Sequence, residues 1–396
     1  MSYPGPHERS GRTRRPILAV LAVVAVLLGV GLAAVAFVAN RDDGSGAPLW
    51  QGDAVQEPSG SAAPSPTRSA EAPPATISMS ATGDIIMGNA PNRLPAGGGK
   101  GFFNAVKSAL AADLVMGNLE EPLTDDTGAG KCSANSTRCF QFRAPPSYAA
   151  HLKEAGFELL NQANNHGNDY GAAGYRNTQK ALKDHGLKHT GAPDEITVVD
   201  VEGVSVAVAG FSSYPWSNSL TDIDEAAEVV KKAATMADVV VVQVHMGAEG
   251  SDKTHVKPGT ELFLGENRGD PIKFSHAMID AGADLIVGHG PHVLRGMEFY
   301  KDRLIAYSLG NFAGGGKTLS GNGVLGLGGV LKVSVTPDGA FASGQLISTA
   351  MNSAGLPTMD NAHRGAKQVA QLSKADFPTT GAKLDSKGKI TAPAAG

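Results

Sequence analysis

The residues of this chain best suited to chemistry are histidines, carboxylates and amides set just after short apolar runs. The clearest case is Gly288-His289-Gly290-Pro291-His292, where two imidazoles follow Leu285-Ile286-Val287 through a turn imposed by glycine and proline. Imidazoles so placed suit a borderline transition metal such as Zn, Mn or Fe. The alternative is a pair of hydrogen-bonded loop histidines. His245 also leaves a buried run, since four of the five residues before it are valine. Alone it reads as a satisfied core histidine; beside His289 and His292 it reads as a ligand.

Oxygen ligands are available elsewhere. Asn164-Asn165-His166 offers an amide oxygen at Asn165 and, next to it, an imidazole at His166 able to donate a proton; the alternative is a simple turn. Asp84 after Gly83, and Glu120 after Asn118-Leu119, add anionic oxygens. A carboxylate that bridges two cations holds them about 3.5 to 4 Å apart. Glu249, four residues after His245, is placed to orient a ligand or to face solvent. Cys132 and Cys139, the only cysteines, lie in a polar, turn-rich segment and suit a disulfide in an oxidising compartment. Their spacing fits no familiar zinc pattern.

The elements that must position these groups share a plan. Ala112-Asp113, Ala237-Asp238 and Ala283-Asp284 each follow a helix-patterned stretch and precede a short apolar run ending in ligand-type residues. Residues 77–82, and 148–160 with its own helix pattern, fit the same scheme with variations. Helices alternating with short strands predict a layered α/β domain containing parallel strands. Ligands bind beyond the carboxyl ends of such strands, where Asp84, Glu120, Asn165, His245 and His289 all fall. Two hairpins are predicted, one turning at Glu202-Gly203 and one at Thr336-Pro337-Asp338-Gly339. A helix is expected from Arg364 to Leu372, and disorder over the last twenty residues.

The chain has 396 residues, 42% hydrophobic and 18% charged, an ordinary globular balance. Net charge is −4, made of +3 over residues 1–40 and −7 over the rest, which argues against a nucleic-acid partner. Residues 17–39 are apolar or glycine without interruption, long enough to cross a bilayer core of about 30 Å. Arg9, Arg12, Arg14 and Arg15 before the run, and Asp42 and Asp43 after it, set the N-terminus inside and the bulk outside. Length favours an uncleaved anchor, while Ala34-Val35-Ala36 offers a cleavage site and Arg14-Arg15 a faint twin-arginine export pattern. The expected order is a cytoplasmic basic segment (1–16), a transmembrane signal-anchor (17–39), a Pro/Ser/Gly-rich linker (40–76), the main domain (77–350) and a partly disordered extension (351–396).

Taken together, Gly83-Asp84, Asn118-Leu119-Glu120, Asn164-Asn165-His166, His245-Met246-Gly247-Ala248-Glu249, Gly288-His289-Gly290-Pro291-His292 and Ser308-Leu309-Gly310-Asn311-Phe312 resemble the CapA family of capsule and poly-γ-glutamate synthesis proteins. That family is itself similar to calcineurin-like metallophosphoesterases. The resemblance spans 77–347 and implies a four-layer αββα sandwich of two mixed sheets between helices. It also implies a role in making, exporting or anchoring a capsular polymer, alongside a capsule ligase and membrane subunits. Carried over, Asp84, Glu120, Asn165, His245 and one or both of His289 and His292 would bind one or two divalent ions (Mn, Zn or Fe). His166 would protonate the leaving group, and Asn118, Glu249 and Asn311 would support the ligands. Ile86 stands where the superfamily's Asp-x-His has a histidine, which takes a ligand from one metal, and Gly290 stands where many family members have a further histidine.

The leading expectation is thus a membrane-anchored, extracytoplasmic, metal-dependent hydrolase or transferase acting on phosphorus or an acyl carbon. The rival is a non-catalytic export component with a structural metal site, which Ile86 favours. A nucleotide-binding module has no fingerprint here. Gly314-Gly315-Gly316-Lys317 lacks phosphate-loop spacing and reads as a flexible loop.

Overall fold

Walking along the computed structural model, which describes residues 76–394 except 126, 127, 129, 134, 137 and 138, each expected helix-to-strand unit is found. Strand β1 (Ile77–Ile86) leads through α1 (Lys107–Leu110) to β2 (Leu114–Leu119). Helix α2 (Ala149–Ala155), β3 (Leu159–Asn161), α3 (Gly171–Asp184) and β4 (Lys188–Thr190) follow. The first of the two predicted hairpins is β5 (Ile196–Val201) and β6 (Val204–Ser212), and Glu202 and Gly203 both take positive φ, the conformation a two-residue hairpin turn demands. After the short β7 (Asn218–Ser219), α4 (Ile223–Ala234) feeds β8 (Val239–His245). A small ribbon, β9 (Leu262–Phe263) and β10 (Glu266–Asn267), precedes α5 (Pro271–Asp280) and β11 (Leu285–His289). Then come β12 (Met297–Tyr300), β13 (Arg303–Ala306), β14 (Asn311–Gly314), β15 (Leu327–Val335), β16 (Phe341–Met351), β17 (Pro357–Met359), α6 (Arg364–Asp376), β18 (Lys383–Leu384) and β19 (Lys389–Thr391).

These strands make two large mixed sheets. One has the order β18-β19-β16-β15-β1-β2-β3-β4, parallel from β1 to β4 and antiparallel at β15 and β16. The other runs β12-β13-β11-β8-β6-β5, parallel through β13, β11, β8 and β6. Side-chain alternation sorts the buried runs into layers. Leu114 and Met116 join Val239, Val241 and Val287 in one core between the sheets. Val115 packs with Phe103, Leu152 and Leu182 against α1 to α3, while Val240, Val242 and Val244 pack with Val230 and Phe274 against α4 and α5. Strands buried on both faces read as unbroken apolar runs, which is why the valines before His245 are continuous.

Two expectations are corrected. The last twenty residues contribute β18 and β19 to the large sheet, so the domain does not stop at 350. Asp385 accepts from the N–H groups of Lys387 and Lys389, Gly388 takes φ 83° to close the turn, and Ile390 is buried. The Gly314-Gly315-Gly316-Lys317 segment is a packed corner rather than a flexible loop. A Cβ on Gly315 would meet the Met87 carbonyl oxygen at 2.0 Å, and the Arg93 guanidinium donates to the carbonyls of Gly316 and Lys317. Residues 1–75, with the expected anchor at 17–39, lie outside the described residues. Among the described residues no helix is long and apolar enough to cross a membrane.

Candidate metal centre

Both sheets present the same end of their strands to one point. In the large sheet Asp84 pairs in register with Asn118 and Asn311, and Asn118 with Asn161. In the second, His245 and His289 are direct register partners on β8 and β11. An irregularity in β1 between Ala81 and Asp84 carries the chain into the site. Bulges re-aim side chains in this way. It requires glycine at 83, because a Cβ there would fall 1.9 Å from the Gly310 carbonyl oxygen.

The buried carboxylates are each flanked by imidazoles. Asp84 Oδ1 lies 3.9 Å from His289 Nδ1, and Asp84 Oδ2 lies 3.0 Å from His292 Nδ1. Glu120 Oε1 lies 3.9 Å from His245 Nε2 and 3.6 Å from His292 Nε2. One ligand atom from each of Asp84, Glu120 and His292 fits within a 4.8 Å span. Asn165 enters from the side, its amide NH2 donating to Glu249 at 3.2 Å. Glu249 also pairs with Arg268 at 2.9 Å.

Other side chains fix these groups without joining them. The Asn118 amide donates to Asp84 Oδ1 at 2.9 Å, and its own oxygen accepts from Asn161 and Asn164, both at 3.0 Å. This amide ladder sets which way Asn118 faces. His289 Nε2 donates to Gln243 at 3.2 Å, which turns Nδ1 toward Asp84. His292 Nδ1 donates to Asn311 at 2.9 Å, and Asn311 in turn donates to the Leu325 carbonyl. His292 takes φ 59° and Gly290 φ 111°. A side chain at position 290 would sit 3.1 Å from the His245 ring in a backbone conformation few residues adopt, so glycine suits it.

His166 borders the same cavity. Its Nδ1–H donates to Asp169 at 2.8 Å, which leaves Nε2 on the opposite ring edge to take up a proton, and burial, opposed by Asp169, holds the imidazole below an ordinary histidine. Lys131 pairs with Asp169 and donates to the Asn165 carbonyl at 3.1 Å. It immediately precedes the loop closed by the Cys132–Cys139 disulfide, whose Cα atoms are 5.5 Å apart.

Electrostatics agree with this geometry. Burial pushes Glu120 well above the usual carboxylate range, and Asp84 and Glu249 add to it. Burial opposes the charge of His292 as well, yet Glu120, Asp84 and Glu249 together hold it well above an ordinary histidine. Asp84 drops to about 2: burial raises it, and the His292 imidazole 3.0 Å away more than reverses that. Burial drives His245 and His289 down, the latter to about 4, so both are neutral donors.

Among the described residues, seven buried polar atoms of the candidate ligands have no hydrogen-bond partner: Asp84 Oδ2, both Glu120 oxygens, Asn165 Oδ1, both His245 nitrogens and His289 Nδ1. Such orphans cost free energy unless something outside the protein chain satisfies them. Carboxylate and amide oxygens mixed with neutral imidazole nitrogens are the donor set of a divalent transition metal. The residues present therefore fit such an ion. Ile86, two residues after Asp84, is fully buried and borders the same cavity, where it offers no ligand.

The structure brings together every candidate read from the sequence: Asp84, Glu120, Asn165, His166, His245, His289 and His292, with Asn118, Glu249 and Asn311 behind them. The sequence reading missed Gln243, Asp169, Lys131 and Arg268. Gln243 and Asp169 carried a signal, Gln243 by strand period from His245 and Asp169 by lying three residues after His166. Lys131 and Arg268 carried none.

The family model described as bacterial capsule synthesis protein PGA_cap matches residues 78–315. A capsule biosynthesis protein CapA of Bacillus anthracis is 36% identical over 261 residues, 60% of this chain and 59% of that one. A PGA biosynthesis protein CapA of Bacillus subtilis is 31% identical over 255 residues, 60% of this chain and 63% of that one. The matched region thus spans about six tenths of these relatives' length. Among solved structures, a Thermus thermophilus 5'-nucleotidase precursor aligns with TM-score 0.37 and 16% identity, covering 77% of this chain and 59% of that one. The NAD nucleotidase of Haemophilus influenzae aligns with TM-score 0.35 and 13% identity, covering 76% and 56%. With its ordered motifs meeting at one centre, the chain belongs to the PGA_cap family of bacterial capsule synthesis proteins.

Proposed function

We propose that the chain is a metal-dependent hydrolase or transferase of cell-surface polymer assembly, held outside the membrane by residues 17–39 and working on phosphoester or acyl bonds. The names of the Bacillus relatives support the polymer, and we read the architecture as the metallophosphoesterase type. A capsule ligase and export subunits are its expected partners. The observation that carries the reading is the convergence of partnerless buried atoms of Asp84, Glu120, Asn165, His245 and His289 from two sheets, beside His292 and His166.

Those six residues other than His166 would hold one or two divalent ions, Mn, Zn or Fe. A bound ion polarises the group under attack and activates water at neutral pH. The chain's own side chains do the rest. Asn118 and Asn311 keep Asp84 and His292 in place, Glu249 fixes the Asn165 amide so that its oxygen faces inward, and Asp169 orients His166 to give a proton to the leaving group.

The test is to purify the full chain, measure bound metal, and assay aryl phosphoesters and γ-glutamyl polymer. His166→Ala is expected to keep its metal and lose turnover by about 10²- to 10⁴-fold. Absence of metal at neutral pH, or full turnover in His166→Ala, overturns the proposal. A second reading, a non-catalytic export component with a structural ion, is favoured by Ile86 in the cavity wall. It requires His166→Ala to leave surface polymer unchanged while Asp84→Ala lowers thermal stability.

A further inference from the structure

Three hollows follow one another across the candidate metal centre. The first, about 320 Å³, has Lys131, Trp216, Leu264 and Arg268 in its walls. The second, about 210 Å³, lies over Ile86, His292 and Asn311. The third, about 450 Å³, is walled by Lys317, Ser320, Asn322 and Asn352. Phe140, His166 and Glu249 border both the first and the second, and Leu319 and Ser320 border both the second and the third. The centre therefore lies midway along a groove with an arm on either side.

The walls say what chemistry lies in it. Phe140 and Leu264 are 66% and 69% exposed, two of the most exposed large apolar side chains among the described residues, and both stand at this groove. Apolar groups held in water at a cleft mark a contact surface. Each arm also carries an exposed lysine. Lys131 shares its charge with Asp169, and Lys317 has no ion-pair partner among the described residues. Arg268 is already committed to Glu249 and Glu266, which are also walls of the first hollow, so in that arm Lys131 alone is left to meet a carboxylate. Among the described residues the third hollow has no carboxylate in its walls; Ser320, Asn322, Asn352 and Ser353 surround Lys317, beside the apolar Leu319 and Met351. A ligand that suits both arms is long and flexible, with methylene stretches for Phe140 and Leu264, amides for Asn322 and Asn352, and carboxylates for the lysines.

We infer that the groove binds an extended γ-linked glutamyl chain across the metal centre, so that an internal stretch of the chain, rather than its end, faces the centre. This rests on the polymer role proposed above and adds the mode of binding. A chain end would occupy one arm; an internal stretch occupies both and draws affinity from each.

The experiment is a fluorescence-anisotropy titration of the full chain, loaded with Mn²⁺, using labelled γ-linked glutamyl oligomers. A long oligomer of about twelve units should bind at least about tenfold tighter than one of about two units, because only the long one fills both arms. Lys317→Ala and Ser320→Trp, both at exposed positions of the far arm, should each cut that ratio to about threefold or less. A ratio near one in the unaltered protein, or a ratio unchanged in both variants, overturns the inference. An α-linked chain of the same length binding equally well overturns the assignment to a γ-linked backbone. Manganese content, measured on the same samples, reports separately on the metal centre: protein without metal sinks the functional proposal, whereas metal-loaded protein without length preference sinks only the groove.

Discussion

The two ends of the sheets treat the same chemical groups in opposite ways. Where strands begin, Asp113, Asp238 and Asp284 stand just before β2, β8 and β11, and each is met by the neighbouring strand. Asp113 accepts from the N–H and hydroxyl of Ser78 at 2.8 and 2.7 Å, and Asp238 from those of Ser205 at 2.9 and 2.5 Å. Asp284 accepts from the Val240 N–H at 2.8 Å and pairs with Arg303 at 3.1 Å. Where strands finish, Asp84 keeps one side-chain hydrogen bond, from Asn118, with His292 beside it, and among the described residues Glu120 has no hydrogen-bond partner. A carboxylate satisfied by its own chain stitches strands together; one buried and left short of partners is held for something the chain does not contain.

Metal removal should break this contrast most visibly. Binding to the folded state alone contributes about 4 kcal/mol at about a thousandfold excess over the dissociation constant. Chelation should lower the thermal midpoint, and Mn²⁺ should restore it, in the unaltered protein but not in Asp84→Ala or His245→Ala. A midpoint indifferent to chelator would mean that the partnerless atoms are merely tolerated. Next in size is Glu120→Gln, which removes a carboxylate whose charge burial disfavours. In chelated protein this substitution should leave the midpoint unchanged or raise it, and in Mn²⁺-containing buffer it should lower it. Loss of stability in both conditions would place Glu120 among the structural acids.

Much of the contrast was legible beforehand, and the reason is local. Helix, Ala-Asp, apolar run and ligand residue recur at 112–120, 237–245 and 283–289, and each unit can be read without knowing its neighbours. What each Asp bonds to was not legible, because Ser78 and Ser205 lie 35 and 33 residues away on other strands. The same limit hid the supporting groups of the centre: Arg268 reaches Glu249 from just after β10, and Lys131 reaches Asp169 from just before the disulfide loop. That Asp84 and His245 belong to different sheets could not be read either, since both follow buried strands of similar composition. The C-terminal strands were missed because Ile390 is a lone apolar residue among lysines and threonine, too little periodicity for a strand. The Asp385 to Gly388 turn was the overlooked signal.

A change at the other end should leave the metal alone. Asp284→Ala strips the Val240 N–H of its partner at a largely buried position, which costs about 1 to 3 kcal/mol. Metal content and its effect on the thermal midpoint should stay as in the unaltered protein. Loss of metal in this variant would show that the two ends are coupled through β8 and β11, and the division of labour would fail.

The smallest effect is the most specific to stitching. The Ser78 hydroxyl, followed by its N–H, holds Asp113 below the usual carboxylate range, and the Ser205 hydroxyl and N–H do the same for Asp238. A depressed folded-state pKa makes a contribution that is present above the ordinary carboxylate value, about 3.9, and is lost as pH falls through the folded value. The midpoint of chelated protein should therefore fall below about pH 4, and part of that fall should belong to these two residues. In Asp113→Asn combined with Asp238→Asn the acid limb should be shallower, while near neutrality, where both curves are flat, the variant should be only slightly less stable. Parallel limbs would mean that the serine bonds do not depend on the carboxylate charge. The strand starts would then be held by backbone pairing alone, and what separates the two ends would be only the deficit of partners around Glu120 and His245.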